Sequence, residues 1–295
     1  MSHINNKTKI THLNPMLFDQ VEGWLKDNRI NYDLTRFGQA AKYYKSWLET
    51  KETPSFRELW SISELIDLFD FYNSFNSSGE VNSSFLRRIS KGTVLIEEDI
   101  KKSARDLAFE LKIASRFKRA GFTIIEDNSH DVVAEKKSMR FFIECKRPKN
   151  IGTLIKNMRF AFDKQLPRET INNSIICIDI SNIIYDSQKI DFDNGKFVQP
   201  LITAEKLIEY RNHIDRKFKN FINKEAPDIA KEIRMIILYY SFPIFLDEDI
   251  VSETIRFMKL NHFVTMTSIN DEINKEISKA LNDSVGKQFN AGTLS

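Results

Sequence analysis

The stretch Arg140-Phe141-Phe142-Ile143-Glu144-Cys145-Lys146-Arg147 decides the reading of this chain. It is largely apolar and short, the pattern of a strand bedded in a sheet. Side chains alternate between the two faces of a strand. One face therefore carries Phe141, Ile143 and Cys145, and the other Phe142, Glu144 and Lys146. An acid and a lysine two residues apart project side by side from one sheet face, in an apolar setting.

Upstream, residues 131–135 form a second strand, and Lys137-Ser138 can close a two-residue hairpin that pairs Lys136 with Met139. In that register Asp131 lies opposite Glu144. An odd loop length would send Asp131 to the other face, so the hairpin register is a test of the reading. Directly opposed residues have Cβ atoms ~4.5–5.5 Å apart, and like charges there are destabilising. A divalent cation is the simplest reason for two facing carboxylates, because magnesium takes oxygen ligands and commonly uses one or two carboxylates.

A third acid comes from the helix before the hairpin. Residues 98–119 are amphipathic and stop at Gly121, a natural helix C-cap. On a helical wheel Glu110 falls at the edge of the apolar stripe of Ala104, Leu107, Ala108 and Leu111. Burying an unpaired carboxylate costs several kcal/mol, so Glu110 needs a partner: a metal, a metal-bound water or Lys146.

Working outward, the periodicity predicts strands at 122–126, 131–135 and 139–147, a helix over 153–166 that stops before Pro167, and strand-like runs at 174–184, 234–240 and 262–268. Helices are predicted over 204–221 and 271–281. Residues 1 to about 75 read as helical, with apolar spacing at 16–25, 37–48 and 56–72, and hold all three tryptophans. Ser61 and Glu64 form either a capping box or a mid-helix coincidence. The Asn- and Ser-rich stretch 73–84 is a linker or a long surface loop. The division that follows is an N-terminal helical region, 1–84, which recognises a substrate, binds a partner or braces the rest, and an α/β domain, 85–295.

Composition excludes several classes. Hydrophobic residues are 41% and charged residues 29%, ordinary for a globular protein, and 9 Gly with 7 Pro argue against a disordered or fibrous chain. Cys145 and Cys177 both sit in apolar runs and read as buried free thiols of a reducing compartment, with no zinc-ligand spacing. No secretory h-region and no apolar run of ~18 residues is present, so a cytoplasmic protein with no membrane partner is expected. There is no P-loop, HNH, HExxH or Gly-x-Ser-x-Gly pattern. The net charge of +3 does not announce a nucleic-acid binder, so any electrostatic footprint must be local.

Glu110 on a helix, then Asp131, then Glu144-Cys145-Lys146, in the element order α-β-β-β-α-β, resembles the PD-(D/E)xK signature of restriction-endonuclease-like nucleases. The resemblance covers residues 98–184. It departs in one place: His130, not proline, precedes Asp131. It implies an α/β fold with a central mixed sheet flanked by helices, here extended by the N-terminal helical region. It also implies a division of labour. Asp131, Glu144 and the Cys145 backbone carbonyl would bind Mg2+ or Mn2+. Lys146 would orient the attacking water and stabilise developing charge, and Glu110 would complete the metal shell or hold Lys146. Members of the family also use a glutamine on the next helix, a place that Gln165 occupies.

The implied activity is a metal-dependent endonuclease acting on phosphodiester bonds. DNA is favoured over RNA, and a restriction or antiphage role rests on family analogy alone. A homodimer and a helicase or ATPase subunit are compatible partners. The alternatives are an inert nuclease-fold module that binds nucleic acid or protein, and an RNA-processing nuclease. Residues 99–150 hold thirteen Lys and Arg against eight Asp and Glu, and Arg147, Lys149, Lys156, Arg159 and Lys164 continue beyond the motif. That makes Arg147, Lys149, Lys156, Arg159 and Gln165 candidate nucleic-acid contacts, against the plain reading of a solvated helix face. His130 reads as an ordinary loop histidine with a minor claim to a proton-donor role.

Overall fold

The computed structural model describes residues 8–9, 15–50, 56–76, 83–94, 103–127, 129–166, 168–187, 202–249, 254–267 and 272–285. A short strand β1 (Thr8–Lys9) precedes helices α1 (Pro15–Asp27), α2 (Arg36–Thr50), α3 (Phe56–Phe75) and α4 (Ser83–Ile89). Next come α5 (Ser103–Arg119), β2 (Thr123–Ile125), β3 (Val132–Lys136), β4 (Met139–Lys146), α6 (Ile151–Phe160) and β5 (Ser174–Asp179). The chain continues through α7 (Ser181–Ser187), β6 (Ile202–Thr203), α8 (Ala204–Glu225), α9 (Pro227–Glu232), β7 (Met235–Asp249), β8 (Thr254–Met266) and α10 (Glu272–Val285). Residues 77–82 of the expected linker, 98–102 of the expected helix, and 268 and 271 at two expected element ends lie outside the described residues.

The strands form one mixed open sheet in the order β1-β8-β7-β5-β4-β3-β2, with β6 also paired to β7. β4, β5 and β7 run parallel, while the β2–β3, β3–β4 and β7–β8 pairs are antiparallel. Alternation along the strands splits the core in two. Ile143, Cys145, Ile175, Cys177, Ile237 and Tyr239 face the layer of α1–α5 and α10, whereas Ile176, Ile178, Ile236, Leu238 and Tyr240 face α6–α9. The N-terminal helices share the first of these cores with α5 and the sheet. Buried ion pairs stitch α3 to α5: Glu64 with Arg105, Asp67 with Lys112 at 2.7 Å, and Asp70 with Arg119. Removing one member of such a pair strands a buried charge, at ~3–5 kcal/mol.

Local sequence explains the elements that position the site. Helix α5 ends in a Schellman motif. Gly121 sits at φ +85°, its N–H donates to the Lys118 carbonyl at 2.9 Å, and the Phe122 N–H donates to the Phe117 carbonyl at 3.0 Å. The rings of Phe117 and Phe122 meet edge to face at 5.0 Å, closing the motif with its apolar contact. The β3–β4 hairpin turns on Lys137 and Ser138, at φ +51° and +63°, and pairs Lys136 with Met139. This is the left-handed two-residue turn that matches strand twist, formed here without glycine. Helix α6 starts at Asn150, whose side chain accepts from the Thr153 N–H at 3.0 Å while the Asn150 N–H donates back to Thr153 Oγ1 at 3.3 Å.

Two expectations need correcting. The strand-like run 174–184 is strand only as far as Asp179. There the Asp179 carboxylate accepts from the Ser181 N–H at 2.9 Å and turns the chain into α7. Of the two readings of Ser61 and Glu64 the mid-helix one holds, since Ser61 lies inside α3 and its hydroxyl donates to the Arg57 carbonyl at 2.6 Å. β7 and β8 are long strands of a hairpin that continues well past Tyr240. Cys145 and Cys177 are neighbours across β4 and β5 and are buried free thiols. No helix among the described residues is long and apolar enough to cross a membrane.

Candidate active site

The ladder between β3 and β4 ends at Val132–Ile143, which leaves Asp131 one position beyond it, opposite Glu144. There the Asp131 carboxylate takes over the role of a backbone partner. The Cys145 N–H donates to Asp131 Oδ2 at 2.8 Å. Glu144 is 1% exposed, and nothing apolar could tolerate its charge without compensation. The compensation is Lys146. Its Nζ donates to Glu144 Oε2 at 3.0 Å, to the Cys145 carbonyl at 3.1 Å and to Asp131 Oδ2 at 3.3 Å. Two carboxylates and one carbonyl thus converge on a single point, and a monovalent cation stands at it.

Electrostatics follow from that crowding. Burial pushes the Glu144 carboxyl up, and Asp131 adds to the rise against the pull of Lys146. Burial alone would draw the Lys146 ammonium down, but Asp131 and Glu144 together hold it above the ordinary lysine value. Glu110, half-buried on α5, is pushed up to about 8, first by burial and then by the Asp131 charge, while Lys146 opposes the rise. Among the described residues no group hydrogen-bonds the Glu110 carboxylate. It is a desolvated acid beside two others.

His130, expected to be an ordinary loop histidine, stands at the site. Its ring packs edge-on to Phe142, with centroids 5.0 Å apart, and its Nδ1 lies 3.4 Å from Glu144 Oε1. Asp127 places it: Asp127 Oδ1 accepts from the N–H groups of Ser129 at 2.6 Å and His130 at 3.0 Å. That Asx turn, readable from Asp127 and Ser129, was the available signal.

The remaining candidates are spread out. Arg147 belongs to the opposite sheet face. Its Nε donates to Asp179 Oδ2 at 2.8 Å and its Nη1 to Asp106 Oδ1 at 3.3 Å. It lines a cleft of about 540 Å³ between α3, α5 and the ends of β5 and β7, together with Arg36, Glu64, Asp67, Arg105 and Lys112. Lys149 and Lys156 are exposed. Arg159 is paired with Asp228 at 2.9 Å. Gln165 ends a π-helical turn after α6, and its buried Oε1 has no hydrogen-bond partner among the described residues.

The donor chemistry suits a hard divalent cation. Asp131, Glu144 and the Cys145 carbonyl are oxygen donors around one point, and the Glu110 carboxyl, pushed up to about 8, stands nearby. Mg2+ commonly uses one or two carboxylates and completes its shell with water and phosphate. Among the described residues no set of three or more His, Cys, Asp or Glu side chains is gathered closely enough to hold an ion alone. Comparison with protein-family models, with curated proteins and with solved structures finds no match to this chain.

Proposed function

We propose that this protein is a metal-dependent nuclease of the PD-(D/E)xK type that hydrolyses phosphodiester bonds, with DNA as its substrate. One observation carries the reading: Asp131 Oδ2, Glu144 Oε2 and the Cys145 carbonyl converge within 3.3 Å of one cation, the Lys146 ammonium. The chain order α5-β2-β3-β4-α6-β5, with β4 and β5 parallel, supports it as well.

Asp131, Glu144 and the Cys145 carbonyl would hold Mg2+ or Mn2+, and that ion would neutralise charge on the scissile phosphate. The rest is the work of the chain itself. The Cys145 N–H and the hairpin register fix Asp131 at the strand end, so its carboxylate needs no reorganisation. Lys146 has a flexible stem, which lets its ammonium turn toward the phosphate, orient the attacking water and offset the charge that develops. Glu110, poised near neutrality, holds or accepts a proton at its carboxylate beside that water. His130 braces Glu144 from the side away from Lys146.

A catalytically inert nuclease-fold module is the second reading, and one observation favours it. Lys146 already occupies the convergence point and pairs with both carboxylates. The experiment that separates the two is cleavage of plasmid and single-stranded DNA with Mg2+, Mn2+ or EDTA, comparing wild type with Glu144→Ala. Metal-dependent cutting that the variant loses supports the nuclease. Cutting that survives in the variant overturns this site.

A further inference from the structure

Helix α6 begins four residues after Arg147 and covers the sheet face on which Glu144 and Lys146 project. Its inner side is spent on packing, with Leu154, Met158 and Ala161 buried against Ile176 and Ile178. Its outer side is unusual. Phe160 is 57% exposed. Lys156 stands four residues before it on the same side, Lys164 follows four residues after it in the π-helical turn, and both lysines are exposed, as is Lys149 before the helix. The α-helical step places Lys156 and Phe160 about 6 Å apart along the axis.

Charge bookkeeping separates these lysines from their neighbours. Arg159 is tied to Asp228, and Arg168 to Asp163 at 3.1 Å. Lys149, Lys156 and Lys164 have no ion pair with any described residue. The outer side of α6 and of the π-helical turn after it thus carries a lysine, an exposed aromatic ring and a second lysine in succession. A single-stranded polyanion fits this arrangement, because its unpaired bases offer a face to the ring while its phosphates meet the lysines. Duplex bases, already stacked and paired, could not use Phe160.

We infer that the outer side of α6 is a track for single-stranded DNA leading into the candidate active site, with Phe160 stacking on a base and Lys156 and Lys164 meeting the flanking phosphates. The inference rests on the nucleic-acid reading above and narrows its substrate to an unpaired strand. Helix α6 is about 15 Å long, so Phe160 engages the strand some nucleotides away from the scissile bond.

The test is fluorescence anisotropy of the full chain in EDTA with labelled oligo(dT), a blunt duplex and oligo(U), run beside cleavage of plasmid and single-stranded DNA in Mg2+. Wild type is expected to bind oligo(dT) more tightly than the duplex. Phe160→Ala should weaken oligo(dT) binding about tenfold, and Phe160→Trp should keep it. Lys156→Ala and Lys164→Ala should each lower the salt slope by about 0.7. Circular dichroism of Phe160→Ala should match wild type, because the ring packs little. Wild-type cleavage with Phe160→Ala binding undiminished overturns the track and leaves the nuclease intact. No cleavage, with oligo(dT) binding lost in Phe160→Ala, supports the track and overturns the nuclease. Wild type preferring the duplex, or oligo(U) over oligo(dT), overturns the assignment to single-stranded DNA.

Discussion

The Lys146 ammonium lies 3.0 Å from Glu144 Oε2, on the same face of one strand, where Glu144 is almost fully buried. On the proposed reading, lysine and a divalent metal would compete for one set of oxygens. Lys146→Ala removes the resident cation and leaves the buried carboxylate unpaired, which costs ~3–5 kcal/mol in EDTA. Added Mn2+ is expected to raise the melting temperature of the variant more than that of wild type. Cleavage should fall about 100-fold or more while oligonucleotide affinity is kept, because the lysine acts in the transition state. Thermal unfolding with and without Mn2+ checks the first statement and single-turnover cleavage the second; undiminished cleavage would remove Lys146 from the mechanism.

Glu110 gives the site a pH signature. Its carboxyl is pushed up to about 8, first by burial and then by Asp131, from an ordinary value near 4.5. Between those values the folded chain holds a proton that the unfolded chain has released. The group therefore disfavours the folded state increasingly as pH rises from about 4.5 to about 8. Glu110→Gln should match wild type in stability near pH 4 and exceed it at pH 8 in EDTA. Urea midpoints across that range measure it, and a difference independent of pH would show that Glu110 ionises normally.

His130 meets Glu144 Oε1 at 3.4 Å from the side opposite Lys146. A residue that orients a ligand from behind typically governs metal affinity by 10–100-fold. His130→Ala should raise the Mn2+ concentration needed for half-maximal activity about tenfold or more. Direct Mn2+ titration by electron paramagnetic resonance should show the same loss. An unchanged titration would make His130 a packing residue against Phe142.

Arg116 on α5 is fully buried, and none of its three guanidinium nitrogens has a hydrogen-bond partner among the described residues. It sits over the Phe263 ring at 4.7 Å, and burial together with Arg119 draws its pKa down to about 10. A desolvated cation–π contact is worth about 2 kcal/mol, less than the several kcal/mol lost on burying the charge. Arg116→Met should therefore raise stability by about 1 kcal/mol or more, seen as a higher urea midpoint at unchanged slope. A lower midpoint would assign the guanidinium a stabilising partner.

Much of the site was legible because it is built from short-range rules. The hairpin register follows from a two-residue loop at Lys137 and Ser138, and that parity alone brings Asp131 opposite Glu144. Gly121 announces the end of α5, and the wheel of that helix puts Glu110 at the edge of its apolar stripe, where the acid is half-buried. These features need only the period of the element and the geometry of the next turn.

What only the tertiary structure decided depends on partners far apart in the chain. Asp106 and Asp179 capture Arg147 from 41 and 32 residues away, on the sheet face opposite Lys146. Asp179 ends β5 and starts α7, although the apolar run continues to Ile184. The pairing of α3 with α5, and the fusion of the N-terminal helices with the core of the sheet, rest on Glu64, Asp67 and Asp70 meeting cations 41 to 49 residues later. Periodicity sets which face of an element is buried. Which other element buries it is settled by the packing of the whole chain, where desolvated charges must find their partners.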